Sequence, residues 1–221
     1  MKILLTGATG MIGQGALLQC LKTPEVEQVL ALGRSPSGSR DGRVRDVVVK
    51  DLMDLSGVEK ELATVDACLF CAGVSSAGMS EADYTRVTYT LTLAVAQTLL
   101  RLNPAMTFIY ISGASTDATE QGRTMWARVK GKTENALLRL PFKAVYMFRP
   151  GYIQPLDGIT SRTGAYRAVY AVLGPFYPLL RRAFPGVVTN TTQLGRALVK
   201  AALHGAPKKV LETADINALA G

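Results

Sequence analysis

Three observations predict a doubly wound α/β fold for this 221-residue chain, with a parallel sheet covered by helices on both faces. Short, near-continuous apolar runs such as Lys2-Ile3-Leu4-Leu5 and Ala67 to Cys71 read as strands buried on both sides. These runs alternate with stretches of helical periodicity, the order that builds parallel strands joined by crossover helices. A glycine turn, Thr6-Gly7-Ala8-Thr9-Gly10-Met11-Ile12-Gly13, follows directly on the first run.

The first strand, Lys2 to Leu5, leads through that turn to a helix from about Met11 to Lys22. A second strand covers about Gln28 to Leu32. A polar loop with Pro36, Gly38 and Gly42 separates it from a third, Asp46 to Val49. A short helix near Leu55 to Ala63 precedes the fourth strand, Ala67 to Cys71. Ser80 is placed to cap a long helix that runs to about Arg101. Thr107 to Ile111 is the fifth strand. The helix Thr124 to Arg139 repeats Met125, Val129, Leu137 and Leu140 and stops at Pro141, before a sixth strand at Ala144 to Phe148. Past about Thr160 the pattern predicts an aromatic-rich helical segment, a helix from about Thr192 to Leu203 and a last strand near Lys209 to Thr213. No repeat or linker divides the chain. Residues 1–221 therefore read as a single nucleotide-binding domain of the Rossmann type, with a small lid or substrate region at about 154–190.

The glycine turn carries the chemistry. Gly7 lets the chain turn at the strand end, Gly10 removes a side chain where backbone must approach a pyrophosphate, and Gly13 lets helix and strand pack closely. Ala8, Thr9, Met11 and Ile12 fill the gaps, and the helix start offers unpaired N–H groups and a positive dipole end to phosphates. Dinucleotide folds read the adenosine ribose at the tip of the second strand. Here that tip is Gly33-Arg34-Ser35, with Arg40 and Arg43 nearby and no carboxylate before Asp41. A guanidinium and a hydroxyl suit a 2′-phosphate, which predicts NADP(H) in preference to NAD(H). Stacking of Arg34 on adenine would serve either cofactor. Asp51, with Leu52 beside it, is expected at the adenine, and Cys71-Ala72-Gly73 along the ribose and pyrophosphate path.

Composition narrows the classes. No leading apolar segment has signal-peptide form, and the longest later apolar tract, Ala168 to Leu180, is broken by Gly174, Pro175 and Pro178. A soluble, cytoplasmic protein without a transmembrane segment is expected. Cys20, Cys68 and Cys71 are odd in number and lie in apolar segments, as reduced core thiols do. Cys68 and Cys71 would point to opposite faces of a strand, and no metal site is expected. The net charge of +8 is concentrated: between Gly158 and Leu211 there is no Asp or Glu, but Arg162, Arg167, Arg181, Arg182, Arg196, Lys200, Lys208 and Lys209 all occur. Such a basic end suits solubility, a small anionic substrate or peripheral contact with anionic lipid. It shows no nucleic-acid module, so no nucleic acid partner is expected.

Together these motifs resemble the short-chain dehydrogenase/reductase superfamily, in its atypical or extended NAD(P)-binding branch. They look most similar to Tat-interacting-protein-like oxidoreductases and nucleotide-sugar epimerases. The resemblance rests on the glycine turn, Asp51, Ala72-Gly73, the serine of Tyr110-Ile111-Ser112-Gly113, Lys130 in Val129-Lys130-Gly131-Lys132, and Arg149-Pro150-Gly151. It implies that Pro150, Gly151, Tyr152 and Ile153 lie against the nicotinamide, that Lys130 holds the nicotinamide ribose, and that the protein is an oxidoreductase or epimerase-like enzyme. It also implies a monomer, or a homodimer formed through the helices at about 80–101 and 124–139.

One departure matters. The family's active site is Tyr-x-x-x-Lys, and this chain reads Trp126-Ala127-Arg128-Val129-Lys130. An indole donates a hydrogen bond but cannot serve as an acid or base. Trp126 is then expected beside the substrate, with Arg162 and Ser115, while Ser112 and Ser115 compete for the place facing the cofactor. Thr88 stands where relatives often carry Asn. Tyr152 is the first replacement for the lost phenol, with Tyr84 and Asp117 as others. The expected catalytic set is Lys130, Ser112 and Tyr152, and the competing reading is a non-catalytic NADP(H)-binding sensor. Tyr166, Tyr170, Phe176, Tyr177 and Phe184 are expected to cover the nicotinamide end or to pack in the core.

Overall fold

A computed structural model describes residues 1–160 and 173–221. Its main sheet holds β1 (Lys2–Thr6), β2 (Gln28–Gly33), β3 (Val44–Val48), β4 (Ala67–Phe70), β5 (Thr107–Ile111), β6 (Ala144–Arg149) and β9 (Val210–Glu212) in the order β3-β2-β1-β4-β5-β6-β9. Every neighbouring pair is parallel. A second, two-stranded sheet pairs β7 (Tyr152–Gln154) with β8 (Val188–Asn190). The strand order reverses at β1, which is flanked by β2 and β4. Chains leaving β1 and β4 diverge to opposite faces there and leave a crevice above the carboxyl ends of the strands.

Alternation along each strand divides the interior in two. Ile3 and Leu5 face one layer, under α1 (Met11–Lys22) and α7 (Thr191–His204), with Leu194, Leu198 and Ile216. Leu4 faces the other, under α4 (Leu91–Leu102) and α5 (Met125–Leu138), with Val95, Leu99 and Leu137. Phe70, Phe108 and Phe142 stack through this second layer, the ring centroids of Phe108 and Phe142 being 5.4 Å apart. Each layer removes a full face of the sheet from water, which is why the strands carry apolar residues at successive positions. Helix α1 lies unusually close to α7: a Cβ on Gly195 would come 2.6 Å from the Gly15 carbonyl oxygen.

Helix α3 (Glu81–Thr85) is capped as expected by Ser80, whose hydroxyl accepts from the Asp83 N–H at 3.1 Å. The long helix then passes through a π-helical turn, Arg86–Thr90, before α4. The short helix α2 (Glu59–Leu62) precedes β4, and α6 (Tyr177–Ala183) lies between β7 and β8. The expected last strand is shorter, because Glu212 caps α8 (Thr213–Ala220) in a reciprocal capping box with Asp215. Strands β7 and β8 are too short to show a period in the sequence, and their pairing is a long-range event. No helix among the described residues is long and apolar enough to cross a membrane.

Candidate functional site

The glycine turn forms the floor of the crevice. Gly7 adopts φ +70°, and a Cβ there would meet the Cys71 carbonyl oxygen at 2.7 Å, so the β1 and β4 loops touch through bare backbone. Thr6, fully buried, ties them together by accepting from the Ala72 N–H at 3.1 Å. A Cβ on Gly13 would sit 2.0 Å from the Gly7 carbonyl oxygen, which holds α1 tight against the turn. Gly10 is the N-cap residue of α1, with no side chain capping the first turn and no acidic residue in it. Among the described residues no N-cap side chain takes up those N–H groups, and Gly10, Met11 and Ile12 line the crevice.

Above the turn lies a cleft of about 830 Å³, within the range of roughly 300–1,000 Å³ common for small-molecule sites. Gly7, Ala8, Thr9, Gly10, Met11 and Ile12 line it at β1, and Gly33, Arg34 and Ser35 at β2. Asp51 and Leu52 follow β3, Cys71, Ala72 and Gly73 follow β4, and Pro150, Gly151, Tyr152 and Ile153 follow β6. Lys130 and Ser112 complete the wall between them. Gly13 lies behind the wall, packed on Gly7. The uncapped helix start and a cradle that side chains would fill make the crevice fit a dinucleotide.

At the β2 tip Arg34 and Ser35 are exposed. Arg43 is engaged elsewhere, with Asp41 at 3.3 Å and the Leu21 carbonyl at 2.6 Å. An outer extension of the cleft, about 480 Å³, is shared by Arg34, Asp51 and Arg86. Arg86, Val87 and Leu91 reach the cleft from the π-helical turn and the start of α4. Sequence reasoning passed over them because a helical pattern does not reveal where a helix changes pitch.

The opposite end holds a network of charges. Lys130, on α5, donates its Nζ hydrogen bond to the Ser112 carbonyl. Burial pushes its ammonium pKa down from 10.5 to about 8, and the Glu134 charge opposes that shift. The Ser112 hydroxyl directs its one proton to Glu134 Oε1 at 2.5 Å, sharing it at most weakly with the Phe148 carbonyl at 3.2 Å. Arg149, at the end of β6, binds both oxygens of Glu134, with Nε at 3.0 and 3.2 Å, and reaches Glu212 at 3.1 Å. Glu134 sits one helical turn after Lys130, an acidic residue at a position facing the core, which is the signal that could have revealed it. Beside this network Gly151 N–H donates to Thr213 Oγ1 at 2.8 Å, and Tyr152 Oη donates to Gln154 Oε1 at 2.6 Å. Burial, and then the neighbouring Tyr177, raise the Tyr152 phenol above its ordinary value.

Several expected residues lie elsewhere. Ser112 lines the cleft, but its hydroxyl is committed to Glu134. Ser115 is exposed at φ +66° in the following turn and does not line the cleft. Trp126 is half-buried in the first turn of α5, also outside the lining. Tyr84 is buried in helix packing. Asp117 holds its own loop together through Thr119 and Gly122 at 2.6 Å each. Thr88 is buried in the π-helical turn. Arg162, Arg167, Tyr166 and Tyr170 lie outside the described residues. Phe176 and Phe184 are exposed rather than packed in the core.

Comparison with known proteins agrees with this geometry. Protein FMP52, mitochondrial, of Eremothecium gossypii is 29% identical over 225 residues, covering 99% of this chain and 97% of that protein. The reductase domain of PhqB from Penicillium fellutanum superimposes with a TM-score of 0.69 at 19% identity, over 95% of this chain. This chain spans only 65% of that structure. A short chain dehydrogenase/reductase from Saccharomyces cerevisiae gives a TM-score of 0.68 at 15% identity, covering 99% of this chain and 97% of the other. At these identities the superpositions establish the fold. The family model described as the NAD dependent epimerase/dehydratase family matches residues 3–128, more than half of the sequence. The chain belongs to the NAD dependent epimerase/dehydratase family.

Proposed function

We propose that the protein is an NADP(H)-dependent oxidoreductase or epimerase-like enzyme acting on a small anionic substrate. The observation that carries this reading is Lys130: its ammonium donates to the Ser112 carbonyl, and both residues line the same cleft as the glycine turn. The turn and the start of α1 would hold the pyrophosphate, Asp51 and Leu52 the adenine, and Pro150, Gly151 and Ile153 the nicotinamide face. Arg34 and Ser35, reinforced by Arg86, favour a 2′-phosphate and so the phosphorylated cofactor. When bound, that cofactor supplies hydride chemistry. The chain itself orients the ribose through Lys130 and offers the Tyr152 hydroxyl as proton donor. Burial keeps that phenol protonated at neutral pH, so it is no base there, and to give its proton to a substrate it would have to leave Gln154 Oε1, to which it donates at 2.6 Å.

Residues 1–221 are read as one domain, with about 154–190 forming its substrate side. The excess of cations in the carboxy-terminal third would draw an anionic substrate to that side. An anionic lipid surface is the competing source of such attraction, and flotation with vesicles at low and high salt separates the two. The three unpaired cysteines suit a reducing compartment, with the cytoplasm as the expected one.

A second reading, a non-catalytic NADP(H)-binding sensor, is favoured by Trp126 where the family's phenol would stand. Stopped-flow absorbance of reduced nicotinamide against a panel of carbonyl compounds distinguishes the two. Turnover that falls with Tyr152→Phe supports the enzyme. Tight NADPH binding with no oxidation by any compound, unchanged in Trp126→Tyr, supports the sensor.

A further inference from the structure

The two carboxylate oxygens of Glu134 are fully used. Oε1 accepts from the Ser112 hydroxyl at 2.5 Å and from Arg149 Nε at 3.0 Å, and Oε2 accepts from the terminal nitrogen of Arg149 at 2.5 Å. The side chain of Glu134 is 1% exposed and that of Arg149 is 14% exposed. This is a charge held in the interior by its partners, joining α5 to the ends of β5 and β6. Its neighbour one turn earlier on the same helix is Lys130, whose ammonium is bound to the carbonyl of the residue whose hydroxyl Glu134 holds.

We infer that Glu134 is the positioning residue for Lys130: it binds the Ser112 hydroxyl, the Ser112 carbonyl accepts from the ammonium at the cleft wall, and the Glu134 carboxylate stands one helical turn from that ammonium. This rests on the reading of the cleft as an NADP(H) site and adds a residue that the Tyr-x-x-x-Lys pattern does not include. Two requirements meet in one carboxylate. A lysine that must grip a sugar needs a fixed direction, which an exposed chain of four methylenes does not have. Its burial beside the cleft also favours loss of the proton, so a nearby anion is needed to hold it charged. Among the described residues the charge that acts on Lys130 is that of Glu134 on its own helix. Arg149 at the end of β6 pairs with Glu134, and Glu212 at the end of β9 pairs with Arg149. The Ser112 carbonyl, just after β5, accepts from the ammonium, and the Tyr152 phenol lines the same cleft.

Two substitutions separate this role from mere loss of packing, because they remove opposite charges from the same ion pair. Glu134→Gln deletes the anion and leaves Arg149 cationic, so the Lys130 ammonium should titrate at a pH well below its wild-type midpoint. Arg149→Gln deletes the cation and leaves Glu134 anionic, so the midpoint should stay or rise. Lys130 is followed by NMR of the 13Cε resonance in lysine-labelled full-length protein, without cofactor, and NADPH affinity is measured across the same pH range by fluorescence. The expected result is a lower midpoint in Glu134→Gln and an unchanged or higher one in Arg149→Gln, with the high-pH loss of NADPH binding moving to lower pH in Glu134→Gln. A Glu134→Gln midpoint that does not fall, or an equal fall in both variants, would overturn the inference. If Glu134→Gln does not fold, Glu134→Asp keeps the charge and shortens the reach. It should retain the wild-type midpoint while weakening NADPH binding at least about tenfold, equivalent to ~1.4 kcal/mol; unchanged binding counts against the role. Should wild-type protein bind no NADPH at any pH, the cofactor reading fails, while the NMR midpoints still judge Glu134.

Discussion

Arg149 grips Glu134 through both carboxylate oxygens, and in doing so fastens the last residue of β6 to the middle of α5. Neither residue is in the glycine turn or in Pro150 to Ile153, yet Glu134 holds the Ser112 hydroxyl while the Ser112 carbonyl accepts from Lys130. Removing one partner leaves a buried charge uncompensated, which costs about 3–5 kcal/mol. Arg149→Met is therefore expected to lose that much stability in urea unfolding. A loss below about 1 kcal/mol would mean that water reaches the pair and screens it.

The glycines of the turn serve different ends, and substitution tells them apart. A Cβ on Gly13 meets backbone at 2.0 Å, whereas one on Gly10 meets the Gly7 carbonyl oxygen at 3.3 Å. Gly13→Ala should lower stability by about 1–3 kcal/mol or more, through overpacking that backbone cannot relieve. Gly10→Ala should fold nearly as well as wild type and lose nucleotide affinity instead, because its methyl group occupies the path of the phosphates. Thermal unfolding beside NADPH titration of both variants decides the matter.

At Lys130, stability and binding should respond to alkali in opposite directions. The Lys130 pKa is near 8 in the folded protein against 10.5 for an ordinary lysine, so between those values the folded state sheds a proton that the unfolded state keeps. At that group the unfolded state then binds more protons, so the Lys130 contribution to folding stability rises with pH through that window by roughly 2–3 kcal/mol, while the Cys20, Cys68 and Cys71 thiols, held protonated in the fold by burial, pull the other way. The same deprotonation removes the cation from the cleft, so NADPH affinity should fall as pH passes about 8. Urea unfolding and cofactor titration of wild type and Lys130→Met from pH 7 to about pH 10 test both, because the difference between the two proteins cancels the thiol contribution and should shift toward wild type as pH rises. A difference that does not change with pH would show that the ammonium is solvated.

On the proposed NADP(H) reading, cofactor choice would rest on the β2 tip. Arg34→Ala should weaken NADPH binding by roughly 10- to 100-fold, the loss of one charge-assisted contact of about 1.5–3 kcal/mol, and leave NADH unchanged. Arg86→Ala should act in the same direction and less strongly, since it reaches only the outer extension of the cleft. Equal wild-type affinities for the two cofactors would remove the argument from Arg34.

Much of the cleft was legible because it is built from backbone. Thr6 to Gly13 announces its conformation through residue size, since only glycine accepts φ +70° at position 7 without strain and only glycine lets backbone approach within contact at position 13. The residues after β2, β3, β4 and β6 followed from the same logic, because in a parallel sheet every strand delivers its carboxyl end to one edge. Ser115 and Trp126 were harder. A serine or tryptophan in a motif has an identity but not a direction, and here the loop after β5 turns Ser115 out to solvent.

By itself the sequence determined the layer architecture, the parallel sheet and the turn that receives phosphate, since hydrophobic period and glycine spacing are local properties of the chain. Only the tertiary structure decided that the Ser112 hydroxyl serves Glu134, that α3 and α4 are joined by a π-helical turn that brings Val87 to the cleft, and that β7 pairs with β8. Each depends on partners far apart in the chain, such as Glu134 with Arg149 across 15 residues and Ile153 with Thr189 across the second sheet. Such pairings are selected by the energy of the assembled interior, which no short window of residues contains.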